Sequence, residues 1–217
     1  MSDHGKALTI TAVLLAALTV VGWGAYALSR PKPEPERPRS SYLLTPPPVL
    51  PTDPTLGPEN ARVTVIAFMD LGCGPCARAM TILEDVHRRM PDVRIVWKDL
   101  PEHAESIPGF MTAHTAARCA DRSGKFWEYA AEFFSRQDEV QTFDHLALAQ
   151  QLNLSSESFQ KCLTSEGAAG AIAANILQAR ERGIFSTPYF FINTRRVDGV
   201  VPTATMLKYI VDARRNN

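Results

Sequence analysis

Apolar residues follow three different rhythms along this chain. From Ala7 to Ser29 no charged residue interrupts the run, and at about 1.5 Å per residue it reaches roughly 34 Å, enough to cross the hydrocarbon core of a bilayer. Residues 31–58 then hold ten of the sixteen prolines, including Pro31-Lys-Pro33-Glu-Pro35 and Pro46-Pro47-Pro48, with little apolar periodicity. Such a stretch is a semi-rigid, partly extended spacer. A third regime opens at Arg62-Val-Thr-Val-Ile-Ala-Phe-Met69, a β-branched run suited to a buried strand, followed by a glycine-punctuated turn and a helical pattern to Met90. Asp92 to Leu100 is a second predicted strand, and the resulting βαβ unit predicts two parallel strands. Ser106 to Arg182 is predicted to be helical, with breaks at Gly124, Asn153 and Gly167 and with Ser155 or Ser156 as an N-cap. Tyr189 to Ile192, a turn at Asn193-Thr194 and Arg196 to Val200 form a predicted hairpin, and Thr203 to Arg214 a closing helix. The pattern is α/β, divided into residues 1–29, a proline-rich linker over 30–57 and one domain over 58–217.

Two readings fit the apolar run. An uncleaved single-pass anchor is favoured by its length, which exceeds the usual signal-peptide core of about 7–15 residues. A cleaved signal would use Lys6 as its basic start and Ala25-Tyr26-Ala27 as its small-residue cleavage site. Both export the remainder. The flanking charges pull the other way, because Lys6 alone precedes the run while Arg30, Lys32, Arg37 and Arg39 follow it, so an extracytoplasmic domain must be supported by its chemistry.

Composition removes several classes of function. The chain has 217 residues, with 23 basic and 23 acidic side chains, so no net charge points to a nucleic-acid partner. Four cysteines are too few for a disulfide-built miniprotein, and any cysteine chemistry must be local. No phosphate loop or dinucleotide fingerprint occurs, and no cofactor is expected.

The local chemistry lies at Cys73-Gly74-Pro75-Cys76, where the first strand meets its helix. A C-x-x-C beside a βαβ unit suggests a redox-active dithiol. Ala79, Leu83, Val86 and Met90 continue an apolar stripe from Cys76, which puts that cysteine on the buried face of the helix. Cys73 falls at the helix N-terminus, where unpaired amides and the dipole stabilise a thiolate. The alternatives are a structural bridge, which would constrain little chain, and a zinc half-site, which would need ligands that two isolated cysteines and four scattered histidines (His87, His103, His114, His145) do not offer at metal spacing. The aromatic residues Phe126, Trp127, Tyr129, Phe133 and Phe134 follow a helix face and are expected in the core.

Several ordered segments beyond the C-x-x-C resemble the DsbA-like branch of the thioredoxin superfamily over essentially all of residues 58–217. Val63-Thr-Val-Ile-Ala-Phe-Met-Asp-Leu-Gly-Cys73 resembles the family's first core strand and active-site approach; Ala116-Ala-Arg-Cys119-Ala, Gly124-Lys-Phe-Trp127-Glu-Tyr and Phe159-Gln-Lys-Cys162-Leu resemble its helical insertion; Thr187-Pro188-Tyr-Phe-Phe-Ile-Asn193 resembles its cis-proline segment. The resemblance implies a thioredoxin fold, a central mixed sheet flanked by helices, with a helical subdomain inserted over about 103–183. It implies that Pro188 is cis and faces Cys73, with Thr187 offering its backbone to a substrate chain. Cys119 and Cys162 are then expected to form a structural bridge inside the insertion, although each alone could be a small buried hydrophobe.

Departures from the family matter as well. Six residues before Cys73, where many members carry a buried acid, this chain has Ala67. Asp70 is the nearest acidic candidate for proton handling, with ordering of the turn as the plainer role; Lys98 and Asp99 are further candidates, with a strand-edge ion pair as theirs. Gly74-Pro75 is the dipeptide typical of thioredoxins, without the histidine that strongly oxidising relatives often place between the cysteines, so thiolate stabilisation falls to the helix terminus and weaker oxidation is expected. The expected function is an exported, membrane-tethered thiol–disulfide oxidoreductase that forms disulfides in protein substrates and is recycled by a membrane redox partner. A reductase or isomerase, or a chaperone or metal-delivery module without turnover, are the alternatives.

Overall fold

Strand alternation explains how the sheet acquires two buried faces. In a computed structural model, which describes Trp23 and residues 43–216, the run after Arg62 forms β2 (Thr64–Met69). Val65, Ala67 and Met69 enter the main core while Ile66 and Phe68 enter a second cluster with Val96, Ile184, Tyr189 and Phe191, as the two-residue side-chain period of a strand requires. The predicted βαβ unit is present: α1 (Gly74–Arg89) connects β2 to β3 (Arg94–Asp99), and the two strands pair in parallel. On the other side, β4 (Tyr189–Ile192) pairs antiparallel with β2 and with β5 (Arg195–Asp198). Asn193 takes φ 50° in the hairpin turn, and its side-chain oxygen accepts the Thr64 amide at 2.9 Å. Gly199, at φ 75°, ends the hairpin before the predicted Val200. The closing helix α7 (Thr203–Arg215) packs on α1 and β4.

A strand inside the proline-rich stretch, where the sequence predicts only spacer, completes the sheet. β1 (Thr55–Leu56) pairs antiparallel with β3, giving the order β1-β3-β2-β4-β5. The preceding prolines are anchored as well: Lys98 Nζ donates to the Pro48 carbonyl at 2.9 Å, Trp97 N to Pro54 at 2.9 Å and Arg182 Nε to Thr45 at 3.0 Å. Residues 43–57 pack with the residues that follow, in one compact unit that runs from Tyr42 to Asn217. The apolar run of 7–29 lies outside the described residues apart from Trp23. Among the described residues no helix is long and apolar enough to cross a membrane.

Helices fill the segment between β3 and β4. After a 3-10 turn at Glu102–Glu105 come α2 (Gly109–Asp121), α3 (Phe126–Ser135), a second 3-10 turn at Gln137–Glu139, α4 (His145–Gln151), α5 (Ser156–Leu163) and α6 (Glu166–Glu181). Gly124 and Asn153 interrupt the helices at φ 67° and 59°, and Ser155 caps α5 through the Ser158 amide at 3.4 Å, all at sequence-predicted positions. Gly167 does not: it lies in the first turn of α6, without a positive φ, and the break falls at Thr164-Ser165 instead. The unpredicted break before α4 is reset by Asp144, whose carboxylate accepts the amides of Leu146 and Ala147. Phe126, Tyr129 and Phe133 are buried, with Trp97 of β3 edge-on to Phe126 at 5.1 Å.

Candidate active site

The dithiol occupies the N-terminus of α1. Cys73 is the N-cap, with extended backbone, and its sulfur accepts the Cys76 amide at 3.2 Å. Pro75 sits in the first turn, where its missing N–H costs nothing and its fixed φ suits the helix. Cys76 lies on the buried face with Ala79, Leu83 and Val86, as the apolar stripe predicts. Both thiols are free; Cys73 keeps 3% of its surface exposed and Cys76 none, while Gly74 and Pro75 between them are exposed.

These surroundings separate the two sulfurs chemically. A hydrogen bond from the Cys76 thiol, helped by Thr187 and the Cys76 amide and opposed by burial, brings Cys73 down to about 6 from an ordinary 9.0. Burial, together with the neighbouring Cys73, pushes Cys76 far up. A low-pKa sulfur beside the exposed Gly74-Pro75 and a high-pKa sulfur with no exposure at all are what an attacking and a resolving thiol need.

Across from the dithiol the chain turns sharply. The Thr187-Pro188 peptide is cis, and the Cys73 thiol donates to the Thr187 carbonyl at 3.4 Å. The residues singled out at opposite ends of the sequence therefore meet: Cys73, Cys76, Thr187 and Pro188 form one site. Cys119 of α2 and Cys162 of α5 form a disulfide, with Cα atoms 5.7 Å apart, inside the insertion.

Asp70 is fully buried and reaches Cys76 through its amide, which donates to the sulfur at 3.5 Å. Its carboxylate faces elsewhere. Oδ1 accepts the Gly72 amide at 2.7 Å and lies 3.1 Å from His114 Nε2, and Oδ2 lies 2.7 Å from His103 Nδ1. Despite burial, His114 first among these partners keeps this carboxyl below its ordinary value. His114 of α2 bridges onward to Asp99 Oδ1 at 2.7 Å, and Arg118 Nε donates to Asp99 Oδ2 at 2.5 Å. Burial opposes a charge on His114, but the two carboxylates raise it to about 9. Its Nε2 can accept the Leu71 amide at 3.0 Å when neutral, or donate to Asp70 when protonated.

Lys98 and Asp99 are ion-paired, yet not as a strand-edge pair. Consecutive strand residues face opposite sides, so Lys98 reaches Asp53 while Asp99 reaches His114 and Arg118, all of them buried. Asn175 of α6 joins the two halves, with Oδ1 accepting the Asp99 amide and Nδ2 donating to Asp53, each at 2.9 Å. Sequence reasoning missed His103 and His114. The one available signal was the buried helical register of His114, four residues before Arg118 on α2.

A sheet of this order, with a dithiol at the N-terminus of the helix after its central strand and a cis-proline opposite, is a thioredoxin fold. Comparison with known proteins agrees. The family described as Thioredoxin matches residues 50–212. Among solved structures, a thioredoxin-like oxidoreductase from Silicibacter pomeroyi is 26% identical with a TM-score of 0.66, covering 76% of this chain and 94% of its own. BdbD from Bacillus subtilis, oxidised, shares the fold at 19% identity and a TM-score of 0.66, with the same coverage of 76% and 94%. The chain belongs to the thioredoxin family. Curated relatives include proteins named Na(+)/H(+) antiporter NhaA from Salinispora tropica, 33% identical over 70% of this chain, and from Herminiimonas arsenicoxydans, 27% identical over 99% of it. The chain spans only 24% and 34% of the length of those two proteins.

Proposed function

We propose that this domain forms disulfides in exported proteins, with Cys73 as the attacked and attacking sulfur and Cys76 as its resolving partner. The asymmetry of the dithiol carries the reading: one sulfur brought down to about 6 beside the exposed Gly74-Pro75, the other pushed far up by burial. In the oxidising direction a substrate thiolate attacks Cys73 of the Cys73–Cys76 disulfide. The S–S bond breaks, Cys76 leaves as a thiolate and takes up a proton, and a mixed disulfide remains. A second substrate thiolate attacks the substrate sulfur of that bond, Cys73 leaves as a thiolate, and two electrons have passed from substrate to domain. A membrane redox partner removes them. Thr187, next to Pro188, offers backbone groups along which an extended substrate segment aligns.

Export is supported by the Cys119–Cys162 bridge, a bond typical of oxidising compartments, and by the apolar run of 7–29, read as a single-pass anchor holding the domain outside the cytoplasm. Gly74-Pro75 favours a second reading, reduction of substrate disulfides, in which Cys73 attacks and Cys76 resolves. The transport activity named for the curated relatives is not carried over, because this chain spans so little of their length. Trapping tests the proposal in cells: Cys76→Ser accumulates mixed disulfides with clients, Cys73→Ser accumulates none, and unchanged client oxidation in both variants contradicts it.

A further inference from the structure

The C-x-x-C motif holds no imidazole, yet the fold brings one to the same turn from outside. His103 belongs to the 3-10 turn after β3, and a Cβ added at Gly72 would lie 2.7 Å from its Cβ. The bare glycine is what lets His103 pack onto the residue before Cys73. Asp70 fixes it twice, since Oδ2 accepts the His103 amide at 2.9 Å and lies 2.7 Å from Nδ1. Phe110 meets the ring edge-on, with centroids 6.4 Å apart. The side chain stays 49% exposed, so it exchanges protons with solvent.

We propose that His103 is the imidazolium of this dithiol, a positioning residue supplied by the turn after β3, which stabilises the Cys73 thiolate by its charge and offsets the Asp70 carboxylate. The inference rests on the oxidoreductase reading. Asp70 by itself opposes a second negative charge on Cys73, and a cation held against Asp70 cancels that opposition. The charged groups around His103 are Asp70 from the β2–α1 turn, Cys73 from α1 and Glu102 from its own turn, with His114 of α2 on the far side of Asp70. The hydrogen bond to Asp70 comes first in raising the proton affinity of His103, burial opposes it, and the charges of Asp70, Cys73 and Glu102 add to it. A thiolate stabilised in this way favours the reduced dithiol and makes the disulfide more oxidising than Gly74-Pro75 alone implies.

The test uses the full chain in detergent, with thiolate absorbance followed against pH and the dithiol equilibrated against glutathione. His103→Gln, which keeps a hydrogen-bonding group but no charge, raises the Cys73 midpoint by about one pH unit and shifts the equilibrium about tenfold towards the disulfide. His103→Lys, which keeps a cation, stays near wild type, and Gly72→Ala, which displaces the ring, follows His103→Gln. The proposal is overturned if His103→Gln titrates as wild type, or if Gln and Lys move the midpoint equally, as a purely structural role would. A wild-type chain that forms no Cys73–Cys76 disulfide at any glutathione ratio overturns the oxidoreductase reading and this proposal with it; an unmoved His103→Gln beside a working wild type overturns the proposal alone.

Discussion

Cys73 and Cys76 lie in the same hydrophobic core as Cys119 and Cys162, so burial alone does not set the two pairs apart. What differs is the local frame. The first pair occupies one helical turn at an N-terminus, faces the Thr187 carbonyl and has its two pKa values driven in opposite directions. The second joins two helices across 43 residues of chain, where α2 and α5 hold the sulfurs together. The comparison teaches that reactivity here comes from a helix terminus, hydrogen bonds to sulfur and nearby charge, whereas the staple needs only proximity.

The comparison breaks most sharply on activity. Cys73→Ser is expected to lower thiol–disulfide exchange by about three orders of magnitude or more, measured with a fluorescent disulfide substrate. The double variant Cys119→Ser/Cys162→Ser retains exchange and instead loses about 3–4 kcal/mol of stability in the chain-entropy picture, read from urea unfolding. Equal loss of exchange in both variants would erase the distinction between the pairs.

A pH series sharpens it further. Cys73 is depressed from 9.0 to about 6, so its contribution to the reduced protein is complete above pH 9 and is lost as pH falls through 6. The oxidised protein has no such group, and the stability advantage of the reduced form must shrink over that window. His114, raised from 6.5 to about 9, has the opposite sign: its contribution is complete below pH 6.5 and is lost as pH rises through 9, in both redox forms. Urea midpoints of the two forms between pH 5 and 9.5 separate the effects, and parallel curves would contradict the thiolate assignment. The smallest expected effect is Tyr129→Phe, which removes the hydroxyl 2.7 Å from His145 Nδ1 in the insertion; it costs about 1 kcal/mol in the same unfolding assay and leaves exchange unchanged.

The elements around the dithiol are the legible ones, because they are periodic. β2, α1, β3 and the final hairpin repeat apolar positions at strand or helix spacing, and the stripe from Cys76 to Met90 is enough by itself to put the resolving cysteine on the buried face of α1. Residues 43–57 read as spacer because prolines dominate them, while their anchors, Lys98, Trp97 and Arg182, lie far along the chain and leave no periodic trace. His103 and His114 are invisible as neighbours of Asp70 for the same reason: 33 and 44 residues separate each from that carboxylate. Ala67 signals that a family acid is missing, but nothing in the sequence says that two imidazoles surround the nearest substitute.

One measurement addresses the central claim directly. The purified full chain is equilibrated across glutathione ratios, quenched with acid, and each cysteine is assigned by differential alkylation and peptide mapping. The account predicts that Cys73 and Cys76 interconvert between dithiol and disulfide while Cys119 and Cys162 stay bonded throughout. Reduction of Cys119–Cys162 in that range, with Cys73 and Cys76 remaining free thiols, would contradict it.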